Sequence, residues 1–245
     1  LIFSLLLLNP LFAACSFQTS LFSEFNESAN GKNVIISPLS IYHILSLTAN
    51  GTNGATQEQM LFVLSEKLLE MNTNNKNILN ILKGSESIEI ANAIMTRFTP
   101  LPSFLEYAKL YDSTVETLTS LAQVNNWVNS KTNGKIKKIL NELNPNTMML
   151  LLNAVYFRGE WEQPFDTEKT FKSSFYNFNN EEKGVETMRQ SIKHLYYEDK
   201  EIQAVQLPYK KDEMSALIIL PKKDVDINSL KLDEEKIKSI LDKSR

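Results

Sequence analysis

Serine, histidine and aspartate all occur in the chain, so nucleophilic acyl chemistry is the first possibility to weigh. No Gly-x-Ser-x-Gly elbow is present to hold a serine at a strained strand-to-helix turn. His43 sits inside a strongly apolar helical pattern, where a core histidine with satisfied nitrogens is expected and not a base aligned on a hydroxyl. Phosphate chemistry has little material: the chain has 7 glycines and neither a Gly-x-x-x-x-Gly-Lys nor a Gly-x-Gly-x-x-Gly pattern. The single cysteine, Cys15, cannot form an internal disulfide, and with His43 and His194 it supplies few ligands for a Cys/His zinc site. The neighbouring acids Glu181-Glu182, Asp233-Glu234-Glu235 and Asp224/Asp226 lie in polar or helical surface patterns and read as solvated faces. The sequence therefore predicts no enzyme, no catalytic residue, no metal site and no cofactor.

The most informative polar residue is Asn153. It interrupts the run Met148 to Phe157 (MMLLLNAVYF), which is otherwise apolar on both faces. An amide inside such a strand costs several kcal/mol unless its donors and acceptors are paired, so it needs partners from another element. Ser37 and Ser40, at the start of an apolar helix, carry hydroxyls that could serve. Serines before a helix usually cap their own backbone instead. Spacing alone leaves both readings open.

The elements that must hold these residues follow from periodicity. Ile41, Ile44, Leu45 and Thr48 share one helical face after Ser37-Pro38, and Asn50-Gly51 stops that helix. A second helix is predicted over Gln57 to Glu70, with the polar stretch Asn72 to Asn77 as a loop behind it. A third carries Leu121, Val124, Trp127 and Val128 on one stripe and ends at Asn133-Gly134. Strands are predicted at Ile88 to Arg97 and Met148 to Phe157, the latter covered on both sides. Ile202 to Tyr209 and Met214 to Pro221 flank Lys210-Lys211-Asp212-Glu213 as a hairpin, and Leu230 to Leu241 forms a closing amphipathic helix. Helices first and then mostly strands is an α+β order.

The 245 residues are 42% hydrophobic and 22% charged, enough for a sizeable core in one domain or two. A net charge of −3 without a basic block argues against a nucleic-acid partner. Leu1 to Cys15 holds twelve apolar residues and no charge. It falls short of the roughly 20 apolar residues of a membrane span. It fits the apolar core and small-residue end of a secretory signal and predicts a secreted protein, although the starting Met and basic flank are not in the sequence; the alternative is a buried first helix in an intracellular protein. Asn26-Glu27-Ser28 and Asn50-Gly51-Thr52 are candidate N-glycosylation acceptors in keeping with secretion.

A set of blocks resembles one known family. Asn33-Val34-Ile35-Ile36-Ser37-Pro38-Leu39-Ser40-Ile41, followed by Gly51-Thr52 and Gln59-Met60, is similar to the first signature of the serpins, the serine-protease-inhibitor fold. Ala91-Asn92-Ala93-Ile94, Asn126-Trp127-Val128, Thr132-Asn133-Gly134-Lys135-Ile136, Leu152-Asn153-Ala154-Val155-Tyr156-Phe157-Arg158-Gly159-Glu160-Trp161 and Pro164-Phe165 follow in serpin order. Met188-Arg189-Gln190, Leu207-Pro208-Tyr209 and Leu220-Pro221 continue it. The resemblance covers about residues 16 to 245. Two departures stand out: Thr187 replaces a second methionine, and the segment between Val115-Glu116 and Val124 is short and lacks the usual Asp-Phe.

The resemblance implies a serpin domain over 16–245: N-terminal helices on a large central β-sheet, with further β-sheets. It implies that Ser37, Ser40 and Asn153 belong to the polar cluster under that sheet called the shutter, and that Trp161 and Thr170 lie at its top, the breach. It also implies that the C-terminal part, about a third of the domain and including the reactive-centre loop with its scissile bond, falls beyond Arg245. The expected function of the complete form is suicide-substrate trapping of a serine or cysteine protease by a monomer. The alternatives are a non-inhibitory binding, chaperone or storage member and a non-functional gene fragment.

Overall fold

The computed structural model describes residues 2–7, 15–29, 32–177, 179, 181–210, 214–226 and 229–244. The chain forms two compact units. One comprises residues 10–18 and 37–158, the other residues 1–9, 19–36 and 159–245. The elements are mixed helix and strand, the expected α+β class.

In the unit containing residues 37–158, helix α2 (Pro38–Ala49) follows α1 (Cys15–Ala29), with proline in its first turn, where the missing N–H costs nothing. The single helix expected over Gln57 to Glu70 is instead two, α3 (Gly54–Leu64) and α4 (Leu68–Lys83). Ser65 takes a left-handed conformation (φ 58°) and its N–H, with that of Glu66, closes on the last turn of α3. The stretch Asn72 to Asn77 is helical and not a loop. Met71, Asn75, Ile78, Leu79 and Leu82 form its buried face at helical spacing, and asparagine side chains there bond to Asn50, His43, Glu66 and the Met71 carbonyl. Helix α5 (Pro102–Leu110) and α6 (Leu121–Lys131) complete the helices of this unit. The Ser120 hydroxyl accepts from the Gln123 N–H to cap α6, and Asn133 and Gly134, both at positive φ, end it.

Three strands cross this unit in the order β3-β2-β4: β2 (Ile88–Thr96), β3 (Ser113–Thr117) and β4 (Met149–Phe157). β3 runs parallel to β2, and β4 antiparallel with Asn92 opposite Asn153. Strand alternation sorts the side chains onto two faces. Ala93, Met95, Leu152 and Ala154 pack against Val124, Trp127 and Val128 of α6. Ile94 and Leu151 pack instead with Leu47 of α2, Ala108 of α5 and Tyr111. The predicted two-sided cover of β4 is thus present.

The other unit holds a four-stranded antiparallel sheet in the order β1-β9-β8-β7, from β1 (Ile2–Leu7), β7 (Leu195–Glu198), β8 (Ile202–Pro208) and β9 (Met214–Pro221). β8 and β9 are the predicted hairpin pair, while residues 211–213 of its turn lie outside the described residues. Of the expected leader, residues 1 and 8–14 likewise lie outside them, and Ile2–Leu7 pairs along β9. A hairpin of β5 (Phe171–Tyr176) and β6 (Glu182–Thr187) stands beside the sheet in sequence, and α7 (Glu234–Lys243) closes the unit. α7 begins later than the expected Leu230, because the Asp233 carboxylate accepts from the Lys236 N–H and sets the first turn there. Ile202, Ala204, Leu217, Ile219 and Ile240 form its core.

Candidate functional site

The site grows from β4. Its register with β2, together with the bonds Arg97 N–H to Met148 O and Arg158 N–H to Ser87 O that frame the ladder, directs the backbone groups of the even-numbered residues toward β2. Those of Met149, Leu151, Asn153 and Val155 therefore point to the other side, where no strand lies among the described residues. β4 is an edge strand with both faces already covered.

Beneath that edge runs a chain of polar groups. Asn153 Nδ2 donates to Asn92 Oδ1 at 2.7 Å, and Asn92 Nδ2 reaches the Tyr111 carbonyl at 3.5 Å. The same carbonyl faces His43 Nε2 at 3.2 Å, and His43 Nδ1 lies 2.7 Å from Asn75 Oδ1. Asn75 Nδ2 donates to Met71 O at 2.9 Å. His43 is therefore a core histidine, as its apolar setting predicts, and no nucleophile addresses it. Burial lowers its proton affinity, against the opposing pull of the Tyr111 carbonyl and Asn75.

A second polar set ties α2 to α4. Asn50 and Asn72 exchange amide bonds at 2.9 Å in both directions, and the Tyr111 hydroxyl donates to Asn72 Oδ1 at 2.6 Å. The Tyr42 hydroxyl donates to Glu66, which also accepts from Asn74. Burial pushes the Tyr42 and Tyr111 hydroxyls and the Glu66 carboxyl all toward their protonated forms, and the Glu66 charge adds to the effect at Tyr42.

Against the expected site residues the structure is specific. Asn153 finds its partner in Asn92, on the adjacent strand, and not in a serine hydroxyl. Ser37 occupies the N-cap of α2 but its side chain makes no capping bond. The Ser40 hydroxyl is buried and has no hydrogen-bond partner among the described residues. Asn50 has its amide nitrogen committed to Ser46 O and Asn72 Oδ1, so a glycan there would cost both bonds. Asn26 lies half-buried on α1. Trp161 bridges to Tyr209 and stacks on its ring, with centroids 4.6 Å apart and planes 11° apart, while Phe165 meets it edge-on. Thr170 closes the short 3-10 turn Thr167–Lys169 ahead of β5. Asn92, Asn75 and Tyr111 carry the network, and their roles are not legible from spacing. Asn92 and Asn153 are 61 residues apart in sequence, and only the register brings them together.

Two surface clefts accompany these features. One of ≈ 530 Å³ lies between the end of α6 and the last residues of β4, with Lys135 and Arg158 at its walls. The other, ≈ 440 Å³, is lined by Trp161, Phe165 and Gln190 in the second unit. No helix among the described residues is long and apolar enough to cross a membrane, and no group of three or more His, Cys, Asp or Glu among them is placed to hold a metal ion.

The fold and sequence of this chain match those of known proteins. The family model for serpins, described as serine protease inhibitors, matches residues 12–245, and the chain belongs to that family. An uncharacterized serpin-like protein of Methanosarcina acetivorans is 34% identical over 210 residues, covering 79% of this chain and 49% of that relative. Among solved structures, the thermophilic serpin tengpin in its latent state superposes with a TM-score of 0.87 at 29% identity, over 98% of this chain and 69% of that one. Reactive-loop-cleaved human thyroxine binding globulin gives a TM-score of 0.87 at 25% identity, over 95% of this chain and 75% of its own. The chain spans about half to three fifths of the length of the first curated relatives it matches.

Proposed function

We propose that the protein to which these residues belong inhibits a serine or cysteine protease by suicide trapping. One observation carries this reading: β4 presents an edge with no strand partner among the described residues, between two faces covered by α6 and by α2 with α5. Strand addition to such an edge makes main-chain hydrogen bonds and buries side chains without building new cover. In the proposed cycle the protease's serine or cysteine attacks a bait carbonyl, an acyl-enzyme forms and the new amino terminus leaves. The loop still bonded to the enzyme then adds beside β4 before water completes deacylation. In this cycle β4 supplies the receiving edge and takes no part in the bond chemistry. Family membership supports inhibition as the general activity.

A second reading, a carrier that keeps the fold without trapping, is favoured by the equally close superposition on thyroxine binding globulin. The two separate on a denaturing gel. The whole protein is incubated with trypsin-, chymotrypsin-, elastase- and papain-like enzymes. A band at the summed mass that survives SDS is the expected result. Cleavage by every competent enzyme with no covalent band would establish the non-inhibitory reading.

A further inference from the structure

His43 is 2% exposed, and both of its ring nitrogens face oxygen acceptors. The Tyr111 carbonyl can only accept. Asn75 Oδ1 is held toward the ring because the other end of that amide donates to Met71 O. Turning the Asn75 amide over gives no relief, since it would bring Oδ1 against the Met71 carbonyl instead. The contacts Met71 O to Asn75, Asn75 to His43 and His43 to Tyr111 O therefore need three hydrogens. Asn75 supplies one, a neutral imidazole supplies one, and an imidazolium supplies two.

We propose that His43 is a proton-operated clamp joining α2, α4 and the corner between α5 and β3: the neutral ring leaves one of these three contacts without a hydrogen, and the protonated ring fills all three. The effect extends to the open edge of β4. The Tyr111 carbonyl that faces His43 is also the acceptor for Asn92, which in turn holds Asn153. Proton uptake at His43 thus changes what the carbonyl offers Asn92, and the polar chain carries the change from α4 to the strand edge. This rests on the geometry of one unit and holds whether or not the protein traps a protease.

The groups facing the ring are few. Tyr111 lies against it at 5.0 Å between centroids, and Asp112 is the one carboxylate among the described residues that acts on it, itself paired with Lys83 at 3.2 Å. α4 offers the neutral Asn75 and β2 the neutral Asn92. Burial opposes the second proton and sets the His43 midpoint below the ordinary 6.5, while Tyr111 O, Asn75 and Asp112 keep it from falling further. With the folded midpoint below the unfolded one, the stability tied to the neutral ring is intact above about pH 6.5 and is lost as pH falls toward the folded midpoint.

The test is a titration of the protein labelled with ¹⁵N in histidine and asparagine. The chain has 2 histidines, so His194→Gln assigns the His43 ring signals. As pH falls from about 8, the ring should pass from one to two protonated nitrogens, with a midpoint below that of the same residue in urea. The Asn92 and Asn153 side-chain amides should shift with the same midpoint, which a merely space-filling histidine would not produce. Asn75→Asp, which puts a carboxylate against the ring, should raise its proton affinity tenfold or more. Equal midpoints in folded and denatured protein, or Asn92 and Asn153 amides that stay still while His43 titrates, would overturn the proposal. Both readouts come from the wild-type ring and amides, so the outcome does not depend on Asn75→Asp folding.

Discussion

Replacing Asn153 by alanine removes a single hydrogen-bond donor, and the structure says what that is worth. The lost partner, Asn92 Oδ1, belongs to a residue 2% exposed, so water cannot take the place of Asn153 Nδ2. An acceptor stranded in that way costs about 1–3 kcal/mol. The packing loss is small by comparison, because Asn153 is itself only half-buried and alanine keeps its Cβ. Asn92→Ala alone strands the Asn153 amide and frees the Tyr111 carbonyl, while the double variant removes donor and acceptor together. The two single losses should therefore exceed the double loss by about 1 kcal/mol or more. The assay is urea denaturation followed by Trp127, which packs on the opposite face of the same sheet, in a Trp161→Phe background that silences the second indole. The comparison is of midpoints at unchanged slope. Additive single losses, or a midpoint unmoved by Asn153→Ala, would show that the asparagine pair does not hold β4 to β2.

Ser40→Ala should be neutral or stabilising by up to about 1 kcal/mol, since its buried hydroxyl has no partner to lose; a melting temperature several degrees lower would contradict this. In the other unit, burial works to raise the Asp199 carboxyl, but Lys236, the Glu201 and Ile202 N–H groups and the Tyr197 hydroxyl together hold it well below the usual carboxylate range. That contribution is present above about pH 4 and is lost as pH falls through the lowered folded midpoint. Asp199→Asn should thus cost about 1–3 kcal/mol at neutral pH, and the gap to wild type should close in acid. Chemical denaturation at two pH values checks it, and a gap independent of pH would refute it.

Much of this architecture is legible where one face of an element is apolar at a fixed period. Ile88 to Arg97, Met148 to Phe157 and the stripe Leu121, Val124, Trp127 and Val128 all form the predicted elements, because their burial leaves no other register. The loop expected at Asn72 to Asn77 fails for a physical reason. Asparagine favours turns in isolation, but here its amides are spent on Asn50, Glu66 and Met71 O, and the buried Met71, Asn75 and Ile78 fix the helix. The break at Ser65 is invisible in the sequence because left-handed caps usually announce themselves by glycine. Within the site, composition marks Asn153 as a residue in need of partners but cannot choose them. The partner lies one strand away by register, and the continuation through Tyr111 uses a backbone carbonyl, which no residue type advertises.

The edge of β4 that has no strand partner among the described residues carries no charge, proline or bulge between Met149 and Phe157, the devices that ordinarily protect such an edge. The two covered faces set the terms for any segment that pairs there. A segment laid beside β4 would gain roughly 0.5–1.5 kcal/mol for each hydrogen bond it makes, against about 1–2 kcal/mol per residue of backbone ordering. Hydrogen bonds alone therefore come close to break-even, and the balance falls to the side chains. A residue that turned a large apolar group toward either cover would add about 1.5–3 kcal/mol, whereas a charge placed there without a partner would cost more than the ladder returns. The faces differ in what they accept. One side of β4 presents Leu152 and Ala154 within the wholly apolar cluster of α6, while the other presents Asn153 with its amide already engaged by Asn92. A segment that adds here is thus selected by alternation: apolar toward α6, and small or hydrogen-bonding toward the asparagine pair. If the proposed strand addition occurs, the polar chain beneath β4 would filter what joins the edge as well as brace the strand that forms it.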